Sequence, residues 1–215
     1  MNVNKLIDHT NLKPVATESD IEKLCLEARE NNFASVCINP CNIPLAKKLL
    51  EGSDVKVCTV IGFPLGANTA MIKAAETAEA YDMGCDEFDM VINIGALKDG
   101  KYDYVRDEIA AVVEAAKGKC VKVIIETGLL TEEEKKMATK LSCEAGACFV
   151  KTSTGVSSTG ATVADVKLMK ENATNGVKVK ASGGIKTAEF AAELIAAGAD
   201  RLGTSSGITI VKGNG

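Results

Sequence analysis

Eight short β-rich runs alternate with amphipathic helical patterns along almost the whole chain. No other feature limits the possible folds as strongly. The runs fall at residues 5–10, 34–39, 56–62, 87–93, 121–127, 148–152, 177–182 and 200–204, and the helical patterns between them at 17–31, 43–50, 69–83, 102–116, 131–145, 162–172 and 187–197. Several helices open on a threonine at the N-cap position. Thr17 is followed three residues later by Asp20, the spacing of a capping pair. Gly84, Gly118, Gly146 and Gly198 stand just past helix ends, where a left-handed residue closes the last turn. Strands joined by helices run parallel. Eight such units in 215 residues fit a closed α/β barrel, the (β/α)8 TIM barrel, with residues 1–215 as one catalytic domain. A doubly wound open sheet would more often carry a glycine-rich first turn. The chain contains neither GxGxxG nor GxxxxGK[ST], so dinucleotide-binding and P-loop readings have no support.

Composition removes whole function classes. Hydrophobic residues make up 46% of the chain and charged residues 25%, which excludes a disordered polymer. No apolar run approaches the ~18–20 residues of a membrane span. The opening MNVNKLIDHTNLK has no apolar core of an export signal. The net charge of −4 without a basic cluster argues against a nucleic-acid partner. Eight cysteines are numerous, yet Cys25, Cys58, Cys120 and Cys143 sit within apolar periodic segments, where free Cys acts as a small hydrophobe. Cys37 and Cys41 are four apart, but the single histidine, His9, and the lack of a second Cys pair at ligand spacing argue against zinc. The expectation is a cytoplasmic protein with reduced thiols, no membrane or nucleic-acid partner, and no metal.

Charges fall where a barrel interior is usually aliphatic. In a barrel strand one parity faces the helices and the other faces inward. In Val177-Lys178-Val179-Lys180-Ala181 the aliphatics suit the helix side, so Lys178 and Lys180 point inward. Lys151 ends its strand, Asp89 shares a face with Asn93, and Lys122 shares one with Glu126. Lys122 and Lys178 come early in their strands and read as structural ion-pair partners. Lys151 and Lys180 come late, toward the C-terminal face where barrel active sites lie. Two converging lysines have a definite chemical use: a second ammonium and desolvation favour the neutral amine, which can attack a carbonyl. The resulting iminium is an electron sink, and an acid such as Asp89 can shuttle protons.

The loops after the last two strands supply a second half-site. Ser182-Gly183-Gly184-Ile185 leads into a helix, and Gly203-Thr204-Ser205-Ser206-Gly207 follows the final strand. Glycine loops let backbone N–H groups approach an anion, and these two loops are the usual phosphate site of barrels. Each is also an ordinary turn sequence. Lys186 would add charge there or simply be a solvated helix-start lysine.

These residues resemble the deoxyribose-phosphate aldolase family of class I aldolases nearly end to end. The likeness is carried by Ile7-Asp8-His9-Thr10, the 60–66 segment VIGFPLG, the 86–93 segment DEFDMVIN, Glu126-Thr127, Lys151-Thr152-Ser153-Thr154-Gly155, Lys180-Ala181-Ser182-Gly183-Gly184-Ile185 and Gly203-Thr204-Ser205-Ser206. The resemblance implies that Lys151 carries a Schiff base with acetaldehyde, and that Lys180 lowers its pKa and joins Asp89 in a proton relay. Thr154, Gly155, Gly183, Gly184, Ser205 and Ser206 would hold a sugar phosphate. The implied reaction is reversible cleavage of 2-deoxy-D-ribose 5-phosphate into acetaldehyde and glyceraldehyde 3-phosphate, without metal or organic cofactor, in a barrel often found as a homodimer. Two departures stand out. Asn11 replaces a more usual apolar residue, and the extended tyrosine-ended tail of longer members has no counterpart, so no tail role carries over. Cys37 reads either as a small buried residue or as a thiol near the aldehyde. Asn39 and Asn93 end strands within reach of substrate hydroxyls. Glu126 pairs with inward lysines or positions the site. Asp8, His9 and Thr10 support the site or take part in it. A transaldolase-like barrel and a non-catalytic sugar-phosphate-binding barrel are the competing readings.

Overall fold

The computed structural model describes residues 3–156 and 159–213. Eight parallel strands close into a barrel in sequence order, β1 Ile7–Asn11, β2 Ser35–Ile38, β3 Lys56–Ile61, β4 Glu87–Val91, β5 Cys120–Ile124, β6 Phe149–Lys151, β7 Lys178–Ser182 and β8 Arg201–Thr204. The helices are α1 Glu18–Glu30, α2 Ile43–Leu49, α3 Ala70–Asp82, α4 Ile94–Lys98, α5 Tyr102–Ala115, α6 Glu132–Glu144, α7 Val163–Asn172, α8 Ala188–Ala196 and α9 Gly207–Lys212. All eight expected strands and all seven expected helices are present, which makes this the (β/α)8 fold. The periodicity did not reveal α4 and α9, because five and six residues are too few to display a helical repeat. Among the described residues no helix is long and apolar enough to cross a membrane.

Local signals set the helix boundaries. The Thr17 side chain accepts the Asp20 N–H while the Asp20 carboxylate accepts the Thr17 N–H, and Thr131 with Glu134 repeats the arrangement. Beyond the helices, Gly84, Gly118, Gly146 and Gly198 hold φ between 83° and 112°, a region costly for other residues.

Strand parity divides the barrel into two chemically different regions. Outward-facing Ile7, Val36, Val57, Phe88, Met90, Val121, Val150, Val179 and Leu202 pack against the helices in one continuous apolar shell. Inward-facing Asp8, Ser35, Cys58, Asp89, Lys122 and Lys180 are fully buried and polar. Lys178 departs from its expected place. It has the inward parity, but as the first residue of β7 it opens to solvent at the N-terminal mouth, with its Nζ 5.8 Å from the Phe149 ring.

A second buried ion pair lies outside the barrel wall. Lys73 of α3 and Glu108 of α5 meet at 2.8 Å, both side chains fully buried. Lys73 also donates to the carbonyls of Gly66 and Val91, and Glu108 accepts the Asn93 N–H. The pair thereby ties the 62–66 turn to the end of β4. Gly66 is obligatory in that turn: its φ is +67°, and a Cβ would lie 2.0 Å from the Ile92 carbonyl oxygen. Burial pulls the Lys73 ammonium below its ordinary pKa and pushes Glu108 above its own, even though each partner opposes the shift of the other. The pair is therefore costly to bury and costlier to break. Lys73→Met should destabilise the fold by about 3–5 kcal/mol, and adding Glu108→Leu should recover most of the loss. Urea denaturation of the single and double variants measures both.

Candidate active site

The site grows from one carboxylate. Asp89, mid-way along β4, stands opposite Lys122 across the β4–β5 ladder, and Lys151 stands opposite Lys180 across β6–β7. The three long lysine side chains cross the interior and converge on Asp89. Lys122 donates to its Oδ1 at 2.8 Å, while Lys151 and Lys180 both donate to Oδ2, at 2.7 and 2.6 Å. The Cys58 thiol donates to Oδ1 at 3.2 Å. A second shell of charge surrounds this knot. Asp8 meets Lys180 at 2.5 Å and Arg201 at 2.6 Å, and Glu87 meets Lys122 at 2.6 Å. Ser35 adds a hydroxyl hydrogen bond to Asp8 at 2.7 Å.

These contacts decide the charge states. Burial alone would raise the Asp89 pKa, but the ammoniums of Lys122, Lys151 and Lys180 hold it well below the carboxylate range. Asp8 is likewise depressed, with burial overcome by Lys180, Lys122 and Arg201. Burial works against the Lys180 charge, yet Asp8 and Asp89 hold its pKa above the ordinary lysine value; Lys122 is raised in the same way, chiefly by Asp89.

The network opens to solvent at one lysine. Lys180 and Lys122 are fully buried, whereas Lys151 is 3% exposed and forms part of the wall of a pocket of about 380 Å³ at the C-terminal mouth. Thr154, Gly155, Gly183, Gly184, Ser205 and Lys186 line the same pocket, as does the β1 loop through Asn11, Leu12 and Lys13. Gly155, Gly183 and Gly184 all hold φ between 75° and 86°. A Cβ on Gly183 would lie 2.9 Å from the Gly160 Cα, so bare backbone lets the loops after β6 and β7 touch.

A barrel with a buried lysine knot beneath a glycine-lined pocket matches known proteins closely. The model of the DeoC/LacD family of aldolases matches residues 3–213. The chain belongs to the DeoC/LacD aldolase family. It is 59% identical over 214 residues to a deoxyribose-phosphate aldolase of Enterococcus faecalis, covering 99% of this chain and 97% of that one. A deoxyribose-phosphate aldolase of Clostridium novyi is 60% identical over 214 residues, covering 99% and 96%. Among solved structures, a deoxyribose phosphate aldolase from Aeropyrum pernix, described as a unique tetramer, superposes with a TM-score of 0.89 at 35% identity, covering 98% of this chain and 89% of that one.

Within this aldolase, the sequence-selected residues fall into two groups. Lys151, Lys180 and Asp89 meet directly, and Thr154, Gly155, Gly183, Gly184, Ser205 and Lys186 share the pocket. Ser206 instead stands at the N-cap of α9, and its N–H donates to the Thr204 hydroxyl. Cys37 is fully buried in a small cluster with Cys58 and Val60, behind Leu12. The Asn39 amide donates to the Lys13 carbonyl, and the Asn93 side chain caps α4. Asn39 thus links the end of β2 to the loop after β1, and Asn93 serves the start of α4. Glu126 adopts a left-handed conformation, φ 57°, and accepts from both the N–H and the hydroxyl of Thr154. His9 points outward to Glu27, 2.8 Å away. The sequence reading missed Glu87, Arg201 and Cys58 as members of the network. Arg201 has the inward parity at the first position of β8, which was the available signal.

Cys37, Cys58 and Asp89 place three potential ligand atoms within 4.8 Å of one another. Three ammoniums already occupy both Asp89 oxygens, so a cation there would meet their repulsion, and the thiols fit better as weak hydrogen-bonding partners.

The depressed Asp8 and Asp89 pKa values set a pH window. Their contribution to stability is complete above the unfolded value of 3.8 and is lost as pH falls below it toward the folded values. Asp8→Asn should therefore cost about 3–5 kcal/mol at pH 7 and flatten the loss of stability below pH 4. Urea midpoints across that range show both effects.

Proposed function

We propose that the chain reversibly cleaves 2-deoxy-D-ribose 5-phosphate into acetaldehyde and D-glyceraldehyde 3-phosphate through a Schiff base on Lys151. The carrying observation is that, of the lysines bound to Asp89, Lys151 is the one that lines the pocket. Its neutral amine attacks the C1 aldehyde, and loss of water gives an iminium. As the C3 hydroxyl loses its proton, the C2–C3 bond breaks and its electrons flow into the iminium. Glyceraldehyde 3-phosphate leaves, and the enamine on Lys151 is protonated at C2. Water then releases acetaldehyde and restores the amine.

The surrounding residues divide the remaining work. Lys180, held charged by Asp8 and Asp89, stands beside Lys151 and shares a proton path with Asp89. Gly155, Gly183, Gly184 and Ser205 present backbone around the phosphate, and Lys186 adds positive charge from the rim. Thr154 belongs to the same loop, which Glu126 fixes by its two hydrogen bonds. Eight free cysteines support a reducing, cytoplasmic setting, and a homodimer is the assembly this reading favours.

Sodium borohydride added with 2-deoxyribose 5-phosphate should trap a two-carbon adduct on Lys151, visible by peptide mass. An active preparation without that adduct would overturn the mechanism. Lys180→Leu should lower kcat by about 10²-fold or more, and a near-normal rate would remove Lys180 from the chemistry. Glu126→Gln should raise KM for the phosphorylated substrate several-fold while changing kcat little, as steady-state assays will report.

A further inference from the structure

We propose that Lys13, in the loop after β1, recognises the substrate phosphate and, with Lys186, sets a preference for phosphorylated over unphosphorylated sugars; the assignment rests on the aldolase reading above. Among the described residues the pocket wall contains three cations, Lys13, Lys151 and Lys186, and no aspartate or glutamate. A phosphate monoester carries roughly 1.5–2 negative charges at pH 7. Lys151 is taken by the aldehyde end, which leaves Lys13 and Lys186 to balance the phosphate. Neither forms an ion pair among the described residues. Asp20 feels the Lys13 charge, but its carboxylate is held below the ordinary range first by the Thr17 N–H and hydroxyl.

Barrel closure puts Lys13 next to the phosphate loops. β1 pairs with β8, and His9 stands opposite Thr204. The loop after β1 therefore rises beside the turn that carries Thr204 and Ser205. The loop after β7, with Gly183, Gly184 and Lys186, lies on the other side of that turn. A phosphate seated over Ser205 has one lysine-bearing loop on each flank.

The loop after β1 is also built to hold Lys13 in place. The Asn11 side-chain oxygen accepts the Lys13 N–H at 3.3 Å. The Lys13 carbonyl accepts the Ala16 N–H at 3.1 Å and the side-chain amide of Asn39 at 3.4 Å. Pro14, the next residue, disfavours helical backbone at Lys13. Both backbone polar groups of Lys13 are thus engaged, while the residue itself is exposed at the rim. A backbone fixed in advance lowers the ordering cost of binding. Asn11, the departure from a more usual apolar residue, has a use in this arrangement, since an apolar side chain could not accept the Lys13 N–H.

The test compares kcat/KM of the full-length protein for 2-deoxyribose 5-phosphate and for 2-deoxyribose. Lys13→Met should lower the ratio of the two about tenfold, mainly through KM for the phosphorylated sugar, and Lys13→Arg should retain most of it. Lys186→Met should lower the ratio to a similar extent, and the double variant further. Asn11→Ala should lower it about threefold, because the lysine keeps its charge but loses its fixed backbone. Calorimetric titration with inorganic phosphate gives a readout independent of turnover, and its Kd should rise about tenfold in Lys13→Met. An equal fall in kcat/KM for both sugars, or unchanged phosphate affinity in Lys13→Met, would overturn the assignment. A wild-type protein that cleaves neither sugar yet binds phosphate through Lys13 would refute the aldolase reading and uphold the phosphate site.

Discussion

The Asp89 carboxylate is the point on which the barrel interior depends. Four donors from β3, β5, β6 and β7 end on its two oxygens, so one side chain of β4 ties together strands from around the cylinder. Barrel interiors more often hold layers of branched aliphatics, which interlock by shape alone. Here the layers interlock by charge. Such a network carries a heavy desolvation cost and is a weak source of stability. That role falls to the apolar shell between strands and helices, which is continuous around the barrel. The fold therefore separates its two tasks by strand parity: outward residues hold the protein together, and inward residues hold the chemistry.

This separation also explains the position of the pocket. Parallel strands deliver all their C-terminal ends to one mouth, so the last inward residue of β6 meets the loops that follow β6, β7, β8 and β1. Glycine allows those loops to be thin. At Gly183 and Gly160 the backbones are close enough that any side chain would force them apart, and Glu126 clamps Thr154 from below. A glycine-lined rim thus stands directly over a buried amine without any long insertion.

The sequence made the architecture legible because the barrel repeats one signal eight times, and errors at strand ends do not change the count. It made Lys151, Lys180 and Asp89 legible because a charged residue at inward parity contradicts the surrounding aliphatics. Parity alone fails at the ends of strands. Lys178 has the inward phase yet reaches solvent, while Arg201, also first in its strand, folds back toward Asp8 and Glu87. The difference lies in which partners stand opposite, a property of the closed barrel rather than of either strand. Asn93 shows a related ambiguity. An asparagine after a strand can serve a ligand or the next turn, and here the Asn93 side chain accepts the Ala96 N–H that opens α4. Ser206 stands just before a helix too short to show in the periodicity.

The same arithmetic of partners distinguishes Lys151 from the other two lysines. Asp8, Glu87 and Asp89 supply three negative charges, and Lys122, Lys180 and Arg201 supply three positive ones within contact distance. The interior is balanced before Lys151 is counted. Lys180 contacts two of these carboxylates and Lys122 all three, so removing either proton would leave buried negative charge poorly paired. Among the described residues Lys151 pairs with Asp89 alone, and it shares that oxygen with Lys180. Lys151 is therefore the lysine with the fewest carboxylate contacts in the network. It is also the one of the three that lines the pocket, while the two fully buried lysines stay locked between carboxylates beneath it.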